Sequence, residues 1–195
     1  MRPSLVLLAG PNGAGKSTLY QTRVAPSFAG PFINADVIQR DELADPSMAA
    51  AYRAAEIAGE RRAALLARGQ SFATETVFSH PSKLAIIDDA RSRGYIIIVL
   101  HVGVETADLS VARVAERLRE GGHDVPEEKI RARFARSQAL IRRAVLAADR
   151  GMVFDNSALN TPPRQVLVFG AGRLLRADAL LPQWVLSVYA EDLVV

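Results

Sequence analysis

A three-layer α/β fold is what this sequence predicts: a mainly parallel five-stranded sheet, a C-terminal β-hairpin and a helical, arginine-rich lid over about residues 113–136. Three observations carry the prediction. Leu5-Val6-Leu7-Leu8-Ala9 is an unbroken apolar run, the pattern of a parallel strand buried on both faces. It leads into Gly10-Pro11-Asn12-Gly13-Ala14-Gly15-Lys16-Ser17-Thr18, which fits G-x-x-x-x-G-K-[ST] at every fixed position and runs on into a helix start. Beyond it, strand-like and helix-like segments alternate as far as residue 157, and such alternation requires right-handed crossovers between parallel strands.

Each element has a local reason. Pro26 and Gly30-Pro31 mark a turn, after which Phe32-Ile33-Asn34 reads as a short strand with Ala35-Asp36 just past its carboxyl end. Asp45-Pro46 reads as a helix start, with Asp45 as N-cap and Pro46 at the first helical position, and the helix should stop at Gly69. Ser71–Val77 is a third strand, and Pro81 opens a helix that ends near Gly94. Tyr95–Val102, apolar and rich in β-branched residues, is expected at the centre of the sheet. Thr106 caps a helix that reaches Glu120, and Pro126-Glu127-Glu128 begins another that runs to about Ala148. Gly151–Ser157 is the fifth strand. Gly170-Ala171-Gly172 joins two short strands as a hairpin, and Leu181–Tyr189 is an apolar helix or strand with a packing role. A length of 195 residues suits one domain.

Composition narrows the function. Hydrophobic residues make up 49% and charged residues 23%, as in ordinary globular proteins, and no cysteine is present to form a disulfide or thiolate metal site. The apolar run near the start is too short for a signal peptide, and no run reaches membrane-spanning length, so a cytoplasmic location without membrane contact is expected. Net charge is +3, and all but three of the 24 basic residues are arginine. The three histidines, His80, His101 and His123, are not spaced as metal ligands; the first two read as a helix-start and a core residue.

The glycine loop defines a nucleotide site. Its backbone N–H groups curl round a phosphate chain at a helix N-terminus. Lys16 then reaches the β- and γ-phosphates of ATP, and the Ser17 hydroxyl sits on Mg²⁺. Ligands of parallel sheets bind at the carboxyl ends of the strands, which gathers Asp36, Glu75-Thr76 and Asp155-Asn156-Ser157 beside the loop. A transport ATPase would need a Leu-Ser-Gly-Gly sequence ahead of Asp-Glu, and the chain has neither. A small kinase fits better, with Asp36 as the base that takes the acceptor's proton and Glu75 and Thr76 holding the acceptor. Arg113, Arg117, Arg119, Arg131, Arg133 and Arg136 stand on the two helices around Gly121-Gly122, where a kinase carries its lid. An RNA-end kinase or other nucleic-acid-associated NTPase is the alternative, disfavoured because few aromatics interleave with the basic residues.

The glycine loop, Ile33-Asn34-Ala35-Asp36, Phe72-Ala73-Thr74-Glu75-Thr76, Arg117-Leu118-Arg119-Glu120-Gly121-Gly122-His123-Asp124-Val125-Pro126, Arg131-Ala132-Arg133-Phe134 and Asp155-Asn156-Ser157 together resemble the zeta-toxin kinases, over about residues 4–157. The resemblance implies ATP-dependent phosphorylation of a UDP-amino sugar such as UDP-N-acetylglucosamine, and an antitoxin partner. It implies Asp36 as base, Lys16 and Ser17 at ATP–Mg²⁺, and Glu75 and Thr76 near the sugar nucleotide. It further implies Arg117 and Arg133 on the transferred phosphate, Arg119 and Arg136 beside the nucleotide, and Asn156 and Ser157 near adenine. The chain is shorter than the antitoxin-controlled zeta proteins, which leaves a housekeeping kinase open.

Overall fold

The computed structural model describes residues 2–119 and 125–193. Its centre is β1 (Ser4–Ala9), whose alternating side chains feed two cores: Leu5, Leu7 and Ala9 on one face, Val6 and Leu8 on the other. The glycine loop follows, then α1 (Lys16–Leu19), which widens into π-type turns over Tyr20–Val24. β2 (Phe32–Ile33) is two residues long, and the Phe32 ring stacks on Tyr20 at 3.7 Å. Directly after it, α2 (Ala35–Val37) is capped by Asn34, whose Oδ1 accepts from the Asp36 and Val37 amides at 2.8 and 3.4 Å.

The long helix α3 (Met48–Ala67) starts later than Asp45-Pro46 suggests. Ser47 is its N-cap, with Oγ accepting from the Ala50 amide at 3.1 Å, while the Asp45 carboxylate accepts from the Ser47 amide at 2.8 Å and shapes the preceding turn. Two acceptable caps two residues apart compete, and the one whose oxygen reaches a free helical amide wins. Gly69, at φ +63°, ends the helix as expected. The Tyr95 hydroxyl, 3.0 Å from the Leu65 carbonyl and 2.9 Å from that of Gln70, secures the same end.

β3 (Phe72–Thr76) and β4 (Ile96–Gly103) flank β1 in parallel, with α4 (Ala85–Ser92) between them in sequence. Then come α5 (Ala107–Arg119), α6 (Glu127–Ala147) and β5 (Arg150–Asp155), which pairs parallel to β4. The hairpin of β6 (Arg164–Gly170) and β7 (Arg173–Ala177) turns through Ala171 and Gly172, both at positive φ, as a tight two-residue hairpin turn requires. The hairpin does not stand apart from the five parallel strands. β6 pairs antiparallel with β5, so one seven-stranded sheet runs β2-β3-β1-β4-β5-β6-β7. The reason is edge cover: without β6, β5 would present a row of unpaired amides and carbonyls.

Helices α3, α4 and α6 bury one face of the sheet, and α7 (Gln183–Val188) adds Trp184 and Val185 to the same core. Leu19, Tyr20 and Val24, with Leu109 and Phe134, cover the other. No helix is long and apolar enough to cross a membrane among the described residues.

His101, fully buried on β4, is a core residue, its Nδ1 2.8 Å from the Tyr189 hydroxyl. Burial pushes its pKa from 6.5 down to about 3. The native chain therefore keeps this imidazole neutral while the unfolded chain binds a proton below pH 6.5. Stability from this group is full above that pH and falls by about 1.4 kcal/mol per unit as the pH drops towards the folded value. Denaturant titrations of wild type and His101→Gln at pH 7 and pH 5 check it: wild type should lose about 2 kcal/mol more than the variant between the two.

Candidate active site

The glycine loop owes its shape to backbone that only glycine supplies. A Cβ on Gly10 would stand 2.1 Å from the Val102 carbonyl oxygen, so the chain leaves β1 hard against β4. Gly15 sits at φ +85° with the Asn156 amide nitrogen 2.4 Å from where its Cβ would be. That amide donates to the Ala14 carbonyl at 2.8 Å and braces the loop from the side of β5. Lys16 is 6% exposed; its Nζ curls back to donate to the Pro11 carbonyl at 2.9 Å and lies 3.6 Å from Glu75 Oε1. A buried ammonium on one carbonyl and one carboxylate is held across the mouth of an amide-lined cup, as anion binding requires.

Parallel registry explains the carboxylate beside it. Leu8 pairs with Glu75 and Ile33 with Thr74, so Glu75 and Asn34 emerge next to the loop. Glu75 accepts from Ser17 Oγ at 2.7 Å and from Asn34 Nδ2 at 3.0 Å through the same Oε2. Glu75 is thus turned towards the phosphate loop rather than standing free for an acceptor. Ser17 and Glu75 offer the oxygen donors a hard divalent cation prefers, and they fit the magnesium that accompanies a nucleoside triphosphate. Thr76 lines the same cavity, but its Oγ1 is taken by the Phe78 amide at 3.1 Å.

A cavity of about 640 Å³ opens in front of these groups. Lys16, Asp36, Glu75, Thr76, Arg117 and Arg133 all line it, although α1, α2, β3, α5 and α6 supply them from distant parts of the chain. Asp36 is exposed in the first turn of α2, and its carboxylate makes no hydrogen bond or ion pair among the described residues. Among the described residues Arg117 Nε and Nη2 are buried without a hydrogen-bond partner, as is Asn12 Oδ1 in the loop. Unpaired buried guanidinium nitrogens are costly, and an anion in the cavity would satisfy them.

The remaining arginines divide. Arg119 and Arg136 are exposed and line neither this cavity nor the smaller one described next. Arg131 pairs with Asp108 and Glu127 at 2.6 and 2.8 Å. Arg113 donates to the Asn156 and Ala158 carbonyls at 2.7 and 3.2 Å, so it organises the loop after β5. Residues 120–124, with the Gly-Gly-His turn of the expected lid and His123, lie outside the described residues.

A second cavity of about 470 Å³ lies beyond the loop's far side, between Thr18, Thr22, Arg113, Asn156 and Pro162. Asn156 touches it while holding the loop. Ser157 does not line it; its Oγ donates to Asp155 at 2.6 Å and accepts from the Glu105 amide at 2.9 Å. Sequence reasoning gave no role to Asn34 and placed Arg113 among the lid arginines, whereas its guanidinium holds the loop after β5. Asn34 had a readable signal, an Asn at a strand end two residues before Asp36, which is a helix-cap position. Among the described residues no three His, Asp or Glu side chains gather as a metal cluster.

A family model described as Zeta toxin matches residues 1–160. An uncharacterised protein of Haemophilus influenzae is 25% identical over 139 residues, 69% of this chain and 94% of that protein. A chain of the AvrRxo1-ORF1:-ORF2 complex, crystallised with ATP, superposes with TM-score 0.72 at 15% identity over 98% of this chain. This chain spans only 63% of that protein's length. The PezAT chromosomal toxin–antitoxin system of Streptococcus pneumoniae gives TM-score 0.63 at 14% identity, covering 98% of this chain and 78% of that one. At these identities the two structural likenesses establish a shared fold.

Proposed function

The chain belongs to the zeta toxin family, and from that premise we propose that it is an ATP-dependent kinase that phosphorylates a hydroxyl of a small molecule, a UDP-amino sugar such as UDP-N-acetylglucosamine foremost. One observation carries the reading: Lys16, the Asp36 carboxylate and the Arg117 guanidinium, the last two without partners among the described residues, line one cavity at the carboxyl ends of β1, β2 and β3. The structural relative crystallised with ATP supports the nucleotide.

In this reading the loop amides and Lys16 grip the triphosphate, and Ser17 with Glu75 holds its magnesium. Bound there, magnesium supplies charge neutralisation at the β- and γ-phosphates. Asp36 accepts the acceptor's proton while the acceptor oxygen bonds to the γ-phosphorus and the bond to the β,γ-bridging oxygen breaks. Lys16, Arg117 and Arg133 balance the negative charge left on ADP. Asn156 steadies the loop, and the smaller cavity beside Arg113 takes the adenosine end. A lid formed by α5 and α6 excludes water. An antitoxin partner belongs to the same proposal, since the PezAT relative is a toxin–antitoxin system.

The test is labelled ATP with Mg²⁺ and a panel of UDP-sugars, free sugars and RNA 5′-ends. Label is expected on a sugar hydroxyl with wild type and none with Lys16→Ala. Label on RNA alone, or only release of phosphate to water, would overturn the acceptor assignment.

A further inference from the structure

The two faces of the sheet are not covered to the same extent. On the face that carries Val6 and Leu8, the core under Leu19, Tyr20, Val24, Leu109 and Phe134 takes in residues of β1, β3, β4 and β5 and none of β6 or β7. Strand register shows what stands there instead. Ile98 pairs with Arg150, Arg150 with Gly170 and Gly170 with Arg173, so these positions form one row on that face. Met152, Val168 and Arg176 form the next row. Gly170 leaves a gap, and Leu175, the extra residue of a bulge in β7, lies over it: a Cβ on Gly170 would stand 2.8 Å from Leu175 Cδ1. Leu175 is 58% exposed, and Arg150, Arg173 and Arg176 are exposed without an ion pair among the described residues. Elsewhere arginines find carboxylates, Arg164 on the same hairpin with Asp178 and Arg142 with Glu191 and Asp192. A three-layer fold buries both faces of its sheet under helices, and β6 and β7 have that cover on one face only.

We infer that the open face of β5, β6 and β7 is a docking site for an acidic amphipathic helix of a partner protein. Its apolar stripe lies on Met152, Val168 and Leu175, and its flanking Asp and Glu side chains meet Arg150, Arg173 and Arg176. Neighbouring strands stand about 4.8 Å apart, so three strands span about 10 Å, the width of one helix. Charge decides among the possible occupants. A second copy of the chain, seated by two-fold symmetry, would set these arginines against themselves. Single-stranded nucleic acid is held by stacking on aromatic side chains, and neither row contains one. A membrane surface takes apolar side chains that protrude, whereas Met152 and Val168 are half-buried in the pleat. A strand added to the outer edge of β7 is opposed by the bulge and by the edge arginines, both of which turn strand partners away. The inference stands independently of the kinase reading, because Arg150 opens β5 and lies at the end of the sheet away from the glycine loop.

Phage-displayed helical peptides, with a fixed apolar stripe and randomised flanking positions, are selected on the full chain, and the leading peptide is made with a fluorophore for anisotropy titration. Asp and Glu should dominate the selected flanks. Affinity should fall about tenfold or more in Arg150→Ser/Arg173→Ser/Arg176→Ser, fall separately in Leu175→Ser, and weaken as salt rises. Both variants should keep the wild-type thermal midpoint, since all four side chains are exposed. Flanks without an acidic bias, or equal binding by the triple variant, overturn the inference. Tighter binding of a short single-stranded RNA, or of phosphatidylserine vesicles, that the same triple variant loses also overturns it and assigns the face to nucleic acid or to a membrane. Failure of wild type to bind an ATP analogue would remove the kinase reading and leave the peptide comparison as it stands.

Discussion

Asp36→Asn is expected to reduce phosphoryl transfer by about 10²- to 10⁴-fold, the usual contribution of a positioned general base, while ATP binds as in wild type. The substitution is nearly isosteric and leaves the local fold alone. The turn that carries Asp36 is capped by Asn34 through the Asp36 backbone amide, not through its side chain. Among the described residues the carboxylate takes part in no ion pair whose loss would disturb the site. Only proton acceptance is removed. Glu75→Gln makes the informative contrast, because Glu75 is tied to Lys16, Ser17 and Asn34. Its loss should weaken ATP–Mg²⁺ binding as well as turnover. Single-turnover transfer and nucleotide affinity, measured on both variants, separate the two roles. Wild-type transfer by Asp36→Asn would remove the base assignment and leave Glu75 as the nearest carboxylate to the phosphate loop.

How much of this could be read from sequence depended on whether the signal was local. The parallel pairing around β1 followed from apolar runs alternating with helices, and the central place of β4 from its unbroken β-branched run. The glycine loop stated its own chemistry. Local competition was harder to judge: Asp45-Pro46 and Ser47 are both plausible caps, and only the geometry of the free amides separates them. The joining of the hairpin to the sheet was illegible for a different reason. The hairpin turn is encoded in residues 170–172, but the pairing of β6 with β5 depends on an edge left open by the rest of the sheet.

Site residues divided in the same way. Lys16 and Asp36 follow β1 and β2, and Glu75 lies near the end of β3; the registry of these strands brings them together, and that registry follows from topology. The direction in which Glu75 points could not be read, because it is set by the Ser17 hydroxyl and the Asn34 amide. Arginines spaced three or four apart on a helix share a face, but spacing does not say which face meets the cavity. Arg117 and Arg133 line it, Arg113 turns to the loop after β5, and Arg119 and Arg136 face solvent.

Trp184→Ala should cost about 3–5 kcal/mol of stability and, through the glycine loop, ATP affinity as well. Trp184 lies on α7, beyond residue 160 where the family match ends. Its ring fills the space over Gly103, where a Cβ would come within 2.4 Å of it, and meets His101 edge-on at 5.1 Å. Its Nε1 donates to Asp155 Oδ1 at 2.8 Å, the same oxygen that accepts from Ser157. The Asn156 amide next to it bonds the Gly103 carbonyl at 2.9 Å, and the Asn156 side chain holds Ala14. Removing the indole therefore empties a buried space and loosens the strand end from which the loop is braced. Trp184→Phe keeps most of the packing and loses the hydrogen bond, so it should cost about 1 kcal/mol for that bond plus a small volume term. Urea unfolding followed by circular dichroism measures both, since Trp184 is the only tryptophan and its fluorescence disappears with it. An alanine variant that is destabilised yet binds ATP normally would limit α7 to packing; joint loss makes the C-terminal segment a working part of the nucleotide site.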